Sequence, residues 1–575
     1  MSTRSVGRGM TLVDVVVGVG VMLVIFLAIF GAFKIAIDLV FSTKAKAGGV
    51  ALTTQQMEYI RGLSYDAIGT VGGIPSGTIP QLQQQSVNGI QYTIRTLVLY
   101  IDAPEDGTGS SDSTGVTADY KLIKVETLWS IRGSSRSTFA VSRVSPHGVE
   151  ALTNGGTLRV NVFDALAAPV GDATVRIQNA STSPAIDVSI DTDAQGSIII
   201  PGAPPASNYK ISVTKNGYSS AQTYDTTTAN PNPNPAHVSI VNQQTTTISF
   251  AIDKTGSLAV STWSPIGASS FTDTFADQSK LSATTSTTVV GGDLALVDDG
   301  FGYAANGTAL SNPVTPSYLA SWDSMSWSAT TSADTSARVR LYFLSGGQYV
   351  LVPDDVLPGN SAGFTSSPVL LTTVIPSSYP TLKLGATLTT TNASSTPVIG
   401  NWALNYRAGP TPLPNIQFTT RGAKTIGQTN AGVPIYKFSQ TNTTSGAGSY
   451  TIQPIEWDSY TLGLVGSTYD VSEQCPDPLA VAPSETKSVS LTLVSKTTHS
   501  LRVIASSAGA PLTGATVAIA GSTNATSTSS TCGQSFFSGL GTGSYTLTVS
   551  KAGLQTVQES VSVSGATVVP VTLSP

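Results

Sequence analysis

The residues able to do chemistry are few and far apart. Ser361 lies in Gly359-Asn360-Ser361-Ala362-Gly363, the spacing of a hydrolase nucleophile elbow. That elbow needs a strand before it, a helix after it and a histidine partner. Here Pro358 precedes it, Phe364-Thr365-Ser366-Ser367-Pro368 follows, and no histidine is near in sequence, so a loop is expected. The three histidines, His147, His237 and His499, fall in different regions and supply no metal-ligand spacing. Asp191-Thr192-Asp193-Ala194-Gln195-Gly196 begins like a calcium loop but lacks the later acids and the closing glutamate; a hairpin turn explains it better. The acidic stretch holding Asp102, Glu105, Asp106, Asp112 and Asp119 has ligands for calcium, yet a solvated loop is the preferred reading. Neither an enzyme, a bound metal nor a cofactor is expected.

Two further groups have chemical meaning of other kinds. Cys475 and Cys532 are the only cysteines, and in an exported chain a pair is the expected state, with two buried thiols as the alternative. A bridge would close a loop of about 58 residues, stabilise by roughly 4 kcal/mol and clamp two adjacent modules. Trp322, Asp323 and Trp327 are close enough to share one sugar-binding surface. Large aromatics more often fill a core, and that reading is preferred.

The N-terminal segment combines a cut site, an apolar span and one acid. Residues 1–9 form a short leader with Arg4 and Arg8 that ends at Gly9, and Met10-Thr11-Leu12-Val13-Asp14 follows. From Val15 to Phe33 there is no charge, enough to span a hydrocarbon core that needs ~20 helical residues. A secretory signal would place its cut after the apolar run, whereas this glycine stands before it. Cleavage between Gly9 and Met10 would leave the apolar helix at the new N-terminus. A carboxylate at Asp14 costs on the order of 2.5–3.5 kcal/mol within a membrane, so it needs a partner or a place at the headgroup boundary.

This order of features resembles the type IV prepilin family, including the pseudopilins of secretion systems. The resemblance implies processing by a prepilin peptidase, N-methylation of Met10, and pairing of Asp14 with the Met10 amine of a neighbouring subunit. The family usually has glutamate where Asp14 stands, one methylene longer. It also implies residence in the inner membrane before assembly, contact with other pilin subunits, and an extracellular position afterwards.

The elements expected to position these residues begin with one helix from Met10 to about Arg61, ~80 Å long. Gly48-Gly49 would bend it or melt it locally, and Gly62 gives the stop signal. Ile90 to Ile101, Asp119 to Ile131 and Arg136 to Val144 read as strands, the second alternating well. The expected fold class is therefore α+β: a pilin-like long N-terminal α-helix packed on an antiparallel sheet, followed by serial all-β sandwich domains. A chain of 575 residues suggests about four domains, and only 11% of residues are charged, against roughly 25% on average. Mean hydropathy is slightly positive, unlike a disordered chain. The net charge of −5 argues against a general nucleic-acid surface, and no specific nucleic acid is predicted.

Internal repetition organises the remainder. Leu158-Arg159-Val160, Pro169 to Val175 and Tyr209 to Tyr218 match Leu501-Arg502-Val503, Pro511 to Val517 and Tyr545 to Leu554 in order, spacing and type. A more distant copy spans 412–495, around Gly432 to Tyr436 and Ser459 to Leu462. The pattern resembles carboxypeptidase regulatory-like and collagen-adhesin B-type modules, which implies small Greek-key sandwiches used as stalk units. The last strand of the C-terminal copy has no asparagine, so the Lys–Asn crosslink of some adhesin modules is not expected there. Between the repeats a tryptophan-rich stretch looks like a jelly-roll sandwich. The expected division is leader 1–9, helix 10–62, head 63–150, and sandwiches over 151–255, 256–409, 410–498 and 499–575. Proline-rich Thr226 to Ala236 reads as an extended excursion, and Ala408 to Pro414 as a joint.

Two functions follow. The first is a minor pilin-like subunit displaying a modular adhesive head, with surface glycans or host and partner cells as ligands. The alternative is a pseudopilin of a type II secretion or DNA-uptake machine.

Overall fold

The computed structural model describes residues 12–103, 105, 107, 118–146, 155–466 and 468–575. Among the described residues helix α1 (Leu12–Arg61) comes first, and apart from a short 3-10 turn at Tyr65–Ala67 the elements after it are strands. The first half of α1 touches nothing: Val15, Phe26 and Phe33 are 47%, 66% and 66% exposed. Its second half is covered, with Ala45, Leu52, Met57 and Ile60 buried against Tyr92, Ile94, Val98, Ile123, Val125 and Trp129. Those partners come from the sheet β1 (Leu82–Val87), β2 (Ile90–Ile101), β3 (Tyr120–Ile131) and β4 (Ser134–Val144), paired antiparallel in that order. The glutamine-rich β1 carries no buried residue, which is why alternation did not reveal it.

α1 runs without a break through Gly48-Gly49, correcting the expected bend. The glycines serve packing instead. A Cβ on Gly48 would stand 2.5 Å from the Tyr92 hydroxyl, and one on Gly49 2.6 Å from the Trp129 ring. The Tyr92 hydroxyl donates to the Ala45 carbonyl at 2.9 Å, so the close approach also satisfies a polar group.

At the other end of the head, buried Lys121 donates to the carbonyls of Tyr65 and Ile68 at 2.7 and 2.8 Å. Its burial pushes the ammonium down to about 8, and burial pushes the Tyr65 phenol up to about 12. Between pH 8 and the ordinary lysine range the unfolded chain binds the extra proton, so stability rises with pH there. Above about 10 the folded chain retains the Tyr65 proton longer, and stability falls again. We expect head stability to increase by up to about 1.4 kcal/mol per pH unit from pH 8 to 10. Lys121→Met should flatten that limb in denaturant titrations; an unchanged slope would refute the assignment.

Three sandwiches share one plan. In each, the first strand pairs in parallel with the last: Gly156–Phe163 with Thr245–Ala251, Gly256–Ser264 with Thr486–Ser495, and Ser500–Ser507 with Ala566–Thr572. Each has a tyrosine whose hydroxyl donates four or five residues back, from Tyr209 to Pro204, Tyr460 to Glu456 and Tyr545 to Gly541. Each also turns a corner on a left-handed glycine. The carbonyls of Gly196, Gly448 and Gly533 accept from the amides of Val162, Thr262 and Ala505 at 2.7–2.8 Å. A Cβ at Gly196 or Gly533 would meet backbone oxygen at 2.3–2.4 Å, so only glycine fits. The segment Asp191 to Gly196 is this corner, joining two sheets rather than closing a hairpin.

This plan corrects the division at 256–409 and 410–498. Strand Gly256–Ser264 pairs with Ser449–Ile455 and Thr486–Ser495, so it is the first strand of the middle sandwich. The tryptophan-rich sandwich is inserted into that module, between Ser264 and Thr411. Trp263 faces Pro412 where Phe163 faces Pro169 and Ser506 faces Pro511 in the other copies. The insertion therefore replaces a tight turn. It has its own core, with Phe275, Trp322, Met325, Leu384 and Trp402 buried between two sheets.

The proline-rich excursion is also a strap. Asn232-Pro233 pairs with Gly427-Gln428 of the middle sandwich, and the Asn230 side-chain amide donates to the Ile426 carbonyl at 3.0 Å. Beneath it Glu456 bridges Lys424 and Lys437 at 2.8 and 2.6 Å.

Candidate functional sites

The proposed cut site, Gly9 and Met10, lies outside the described residues. Asp14 stands in the first turns of α1, and its side chain is outside them too. Most of the acidic stretch between Asp102 and Asp119 falls outside as well. What the structure supplies is the surface around Asp14. From Val15 to Phe33 the side chains are uncovered, and the helix is long and apolar enough to cross a membrane.

Cys475 and Cys532 form a disulfide, with Cα atoms 5.8 Å apart. Each comes from a different sandwich, and the joint around them is built from both. The Gln474 amide donates to the Gln534 side-chain oxygen at 3.0 Å, and the Gln534 side-chain amide donates back to the Gln474 carbonyl at 2.5 Å. Arg502, at the last sandwich, faces Asp477 at 3.4 Å. Burial pushes the Asp477 carboxyl up and Arg502 lowers it, as expected of a half-dry ion pair.

Trp322 and Trp327 fill the core, the preferred reading, and the alternative ligand surface with Asp323 is not formed. Trp322 and Trp327 are 1% and 7% exposed, and the Trp322 indole donates to the Tyr379 carbonyl at 2.8 Å. A spacing of five on a regular strand would put the two rings on opposite faces. A bulge between Trp322 and Ser324 shifts the register, so both rings point inward with Met325. Asp323 accepts from the Ser321 hydroxyl at 2.8 Å.

The Gly359-to-Gly363 segment is a loop pinned by Asn360. This buried side chain accepts from the Leu341 amide at 2.7 Å and donates to the Leu341 and Val352 carbonyls at 2.8 Å. Ser361 pairs with Asp354 at 2.5 Å. His237 shares a hydrogen bond with Thr223 at 2.8 Å in the first sandwich. Among the described residues no three His, Cys, Asp or Glu side chains converge.

One exposed aromatic escaped sequence reasoning. Phe301 is 98% exposed on the turn Asp298-Asp299-Gly300-Phe301-Gly302 of the inserted sandwich. The turn is held by Asp298 and Asp299 accepting from the amides of Gly300 and Phe301 at 2.9 and 2.8 Å. A lone phenylalanine between two glycines, after two turn-forming aspartates, was the available signal.

Residues 500–574 match the carboxypeptidase regulatory-like domain family. No curated protein matches the chain. Among solved structures, the Bacillus anthracis TIE protein is 10% identical over 87% of this chain and 74% of its own, with a TM-score of 0.15. GBS52, a minor pilin of Streptococcus agalactiae, is 16% identical over 29% of this chain and 84% of its own, TM-score 0.13. BcpA, the major pilin subunit of Bacillus cereus, is 9% identical over 73% and 99%, TM-score 0.13. Likeness at these scores carries no argument about function.

Proposed function

We propose that this chain is a minor type IV pilin-like subunit that displays a jointed β-sandwich head outside the cell. A prepilin peptidase cuts between Gly9 and Met10, Met10 is methylated, and the apolar half of α1 holds the chain in the inner membrane until other pilin subunits take it up. The head acts by binding surface glycans or cells, not by catalysis. The observation that carries the reading is the division of α1 into an uncovered apolar half and a half buried on its own sheet. An uncovered span of that length needs lipid or other helices around it. A covered continuation fixes the head rigidly to whatever the span enters.

Asp14→Ala tests the assembly step. If Asp14 neutralises a neighbour's N-terminal amine, the variant should reach the membrane at wild-type level yet fall at least about tenfold in sheared filaments. Immunoblots of the two fractions read this directly. Equal incorporation would remove Asp14 from the mechanism, and intact-mass analysis showing an uncut leader would remove the pilin reading itself.

A further inference from the structure

We propose that the end of the head nearest the apolar half of α1 is a contact for anionic phospholipid headgroups, made by the β3–β4 turn. The inference rests on α1 being the membrane anchor. Contacts along α1 orient the head: Asp38 meets Arg132, Ala45 meets Tyr92, Thr53 meets Thr127, and Arg61 meets Ser142. The turns Asn88-Gly89 and Arg132-Gly133 therefore lie toward the span, and the paired strand ends Ile101 and Tyr120 lie away from it. Coverage of α1 begins at Asp38, five residues beyond Phe33. At ~1.5 Å per residue that is ~7.5 Å past the uncharged span. The headgroup layer is about 5–7 Å deep per leaflet, so the turn is set at its outer edge, within the reach of an arginine side chain of the phosphates.

The chemistry of this end suits phosphate. Arg132 and Arg136 are exposed there, and Lys34 lies one turn down the helix. Asp38 is the single acid at this end among the described residues of the head, and Arg132 neutralises it at 2.6 Å while staying 63% exposed. Asp102, Glu105 and Asp119 all sit at the opposite end. Between turn and helix lies a cleft of about 540 Å³, with Phe41, Ile90 and Ile131 as apolar wall and Ser130, Ser134 and Arg136 as donors. Both turn residues have positive φ, 49° and 81°, a two-residue hairpin that holds the arginines in place. Guanidinium groups over an apolar wall, reaching down from that edge, match a headgroup phosphate above its glycerol.

Because the native cysteines are paired, spin labels can be placed singly in the full chain. Three positions suffice: Ser134→Cys at the turn, Val24→Cys in mid-span, and Ser564→Cys in the last sandwich as the aqueous control. The chain is reconstituted in phosphatidylcholine vesicles with or without about three parts in ten phosphatidylglycerol. We expect nickel-chelating lipid to relax the Ser134 label about tenfold more, relative to soluble nickel, than the Ser564 label. The helix brings the turn near either bilayer, so the difference should increase with phosphatidylglycerol and lose that increase with Arg132→Glu/Arg136→Glu. A lipid-buried Val24 label beside a water-exposed Ser134 label would overturn this contact and leave the anchor standing. A Val24 label in water would overturn both. Proximity indifferent to phosphatidylglycerol, or shielding of Ser134 from both relaxants by protein, would also overturn it.

Discussion

Trp322→Ala is expected to destabilise the inserted sandwich by about 3–5 kcal/mol, the cost of emptying a large aromatic site. The ring is almost fully buried, its indole hydrogen bond to Tyr379 is lost, and Tyr406 loses an edge-on partner at 5.6 Å. The host sandwich should not escape. Its strands leave at Ser264 and return at Thr411, and the folded insertion keeps those ends together. Once unfolded, the insertion becomes a floppy loop of about 146 residues where the first sandwich has a turn of about five, costing the host roughly 3 kcal/mol in closure entropy. Calorimetry should show the insertion melting first and the host transition shifted down. Hydrogen exchange at Leu384 and Val489 reports the two cores separately. Undiminished protection at Leu384 would sink the core assignment and reopen a surface role for Trp322.

Removing the crosslink has the second large effect. Cys475→Ser/Cys532→Ser should lower the stability of the last two sandwiches by about 4 kcal/mol on the loop-entropy estimate. The joint should nonetheless persist under native conditions, because the reciprocal Gln474–Gln534 pair and the Arg502–Asp477 contact remain. Adding Gln534→Ala leaves the Gln474 amide and carbonyl without their partner, and should turn the weld into a hinge. Denaturant midpoints with and without reductant test the first statement; coincident midpoints would refute it. Inter-module distances by pulsed spin-label spectroscopy test the second, and a single narrow distribution in the triple variant would count against it.

Local signals in this chain were strong where one segment contained all the information. The span from Val15 to Phe33, the alternation of Tyr120–Ile131 and the Tyr-x-Leu-x-Val strands were each readable alone, because burial on one side imposes a period. The repeats were readable for a related reason: the Leu-Arg-Val, proline-to-valine and tyrosine blocks recur in the same order and spacing. The two cysteines were expected to pair and to clamp the last two modules, because an exported chain with one cysteine in each has no other partner to offer.

Other features depend on residues distant in the chain. The first strand of the middle sandwich is nine residues long and stands before a complete extra domain, so a linear reading attached it to its neighbour. Parallel pairing with Thr486–Ser495 reveals its membership, and no local property of Gly256–Ser264 encodes that partner. The Trp322–Trp327 spacing alone would put the rings on opposite faces; a bulge, set by pairing with Val398–Ala408, turns both inward. Gly48-Gly49 looked like a weak point in a helix until Tyr92 and Trp129 were seen to fill the space. What the residues determined unaided was periodicity, composition and repetition, which are short-range consequences of burying one face. Membership of a sheet, side-chain facing at an irregularity and the depth of the head along α1 were decided by tertiary structure, because each is a relation between segments that only packing brings together.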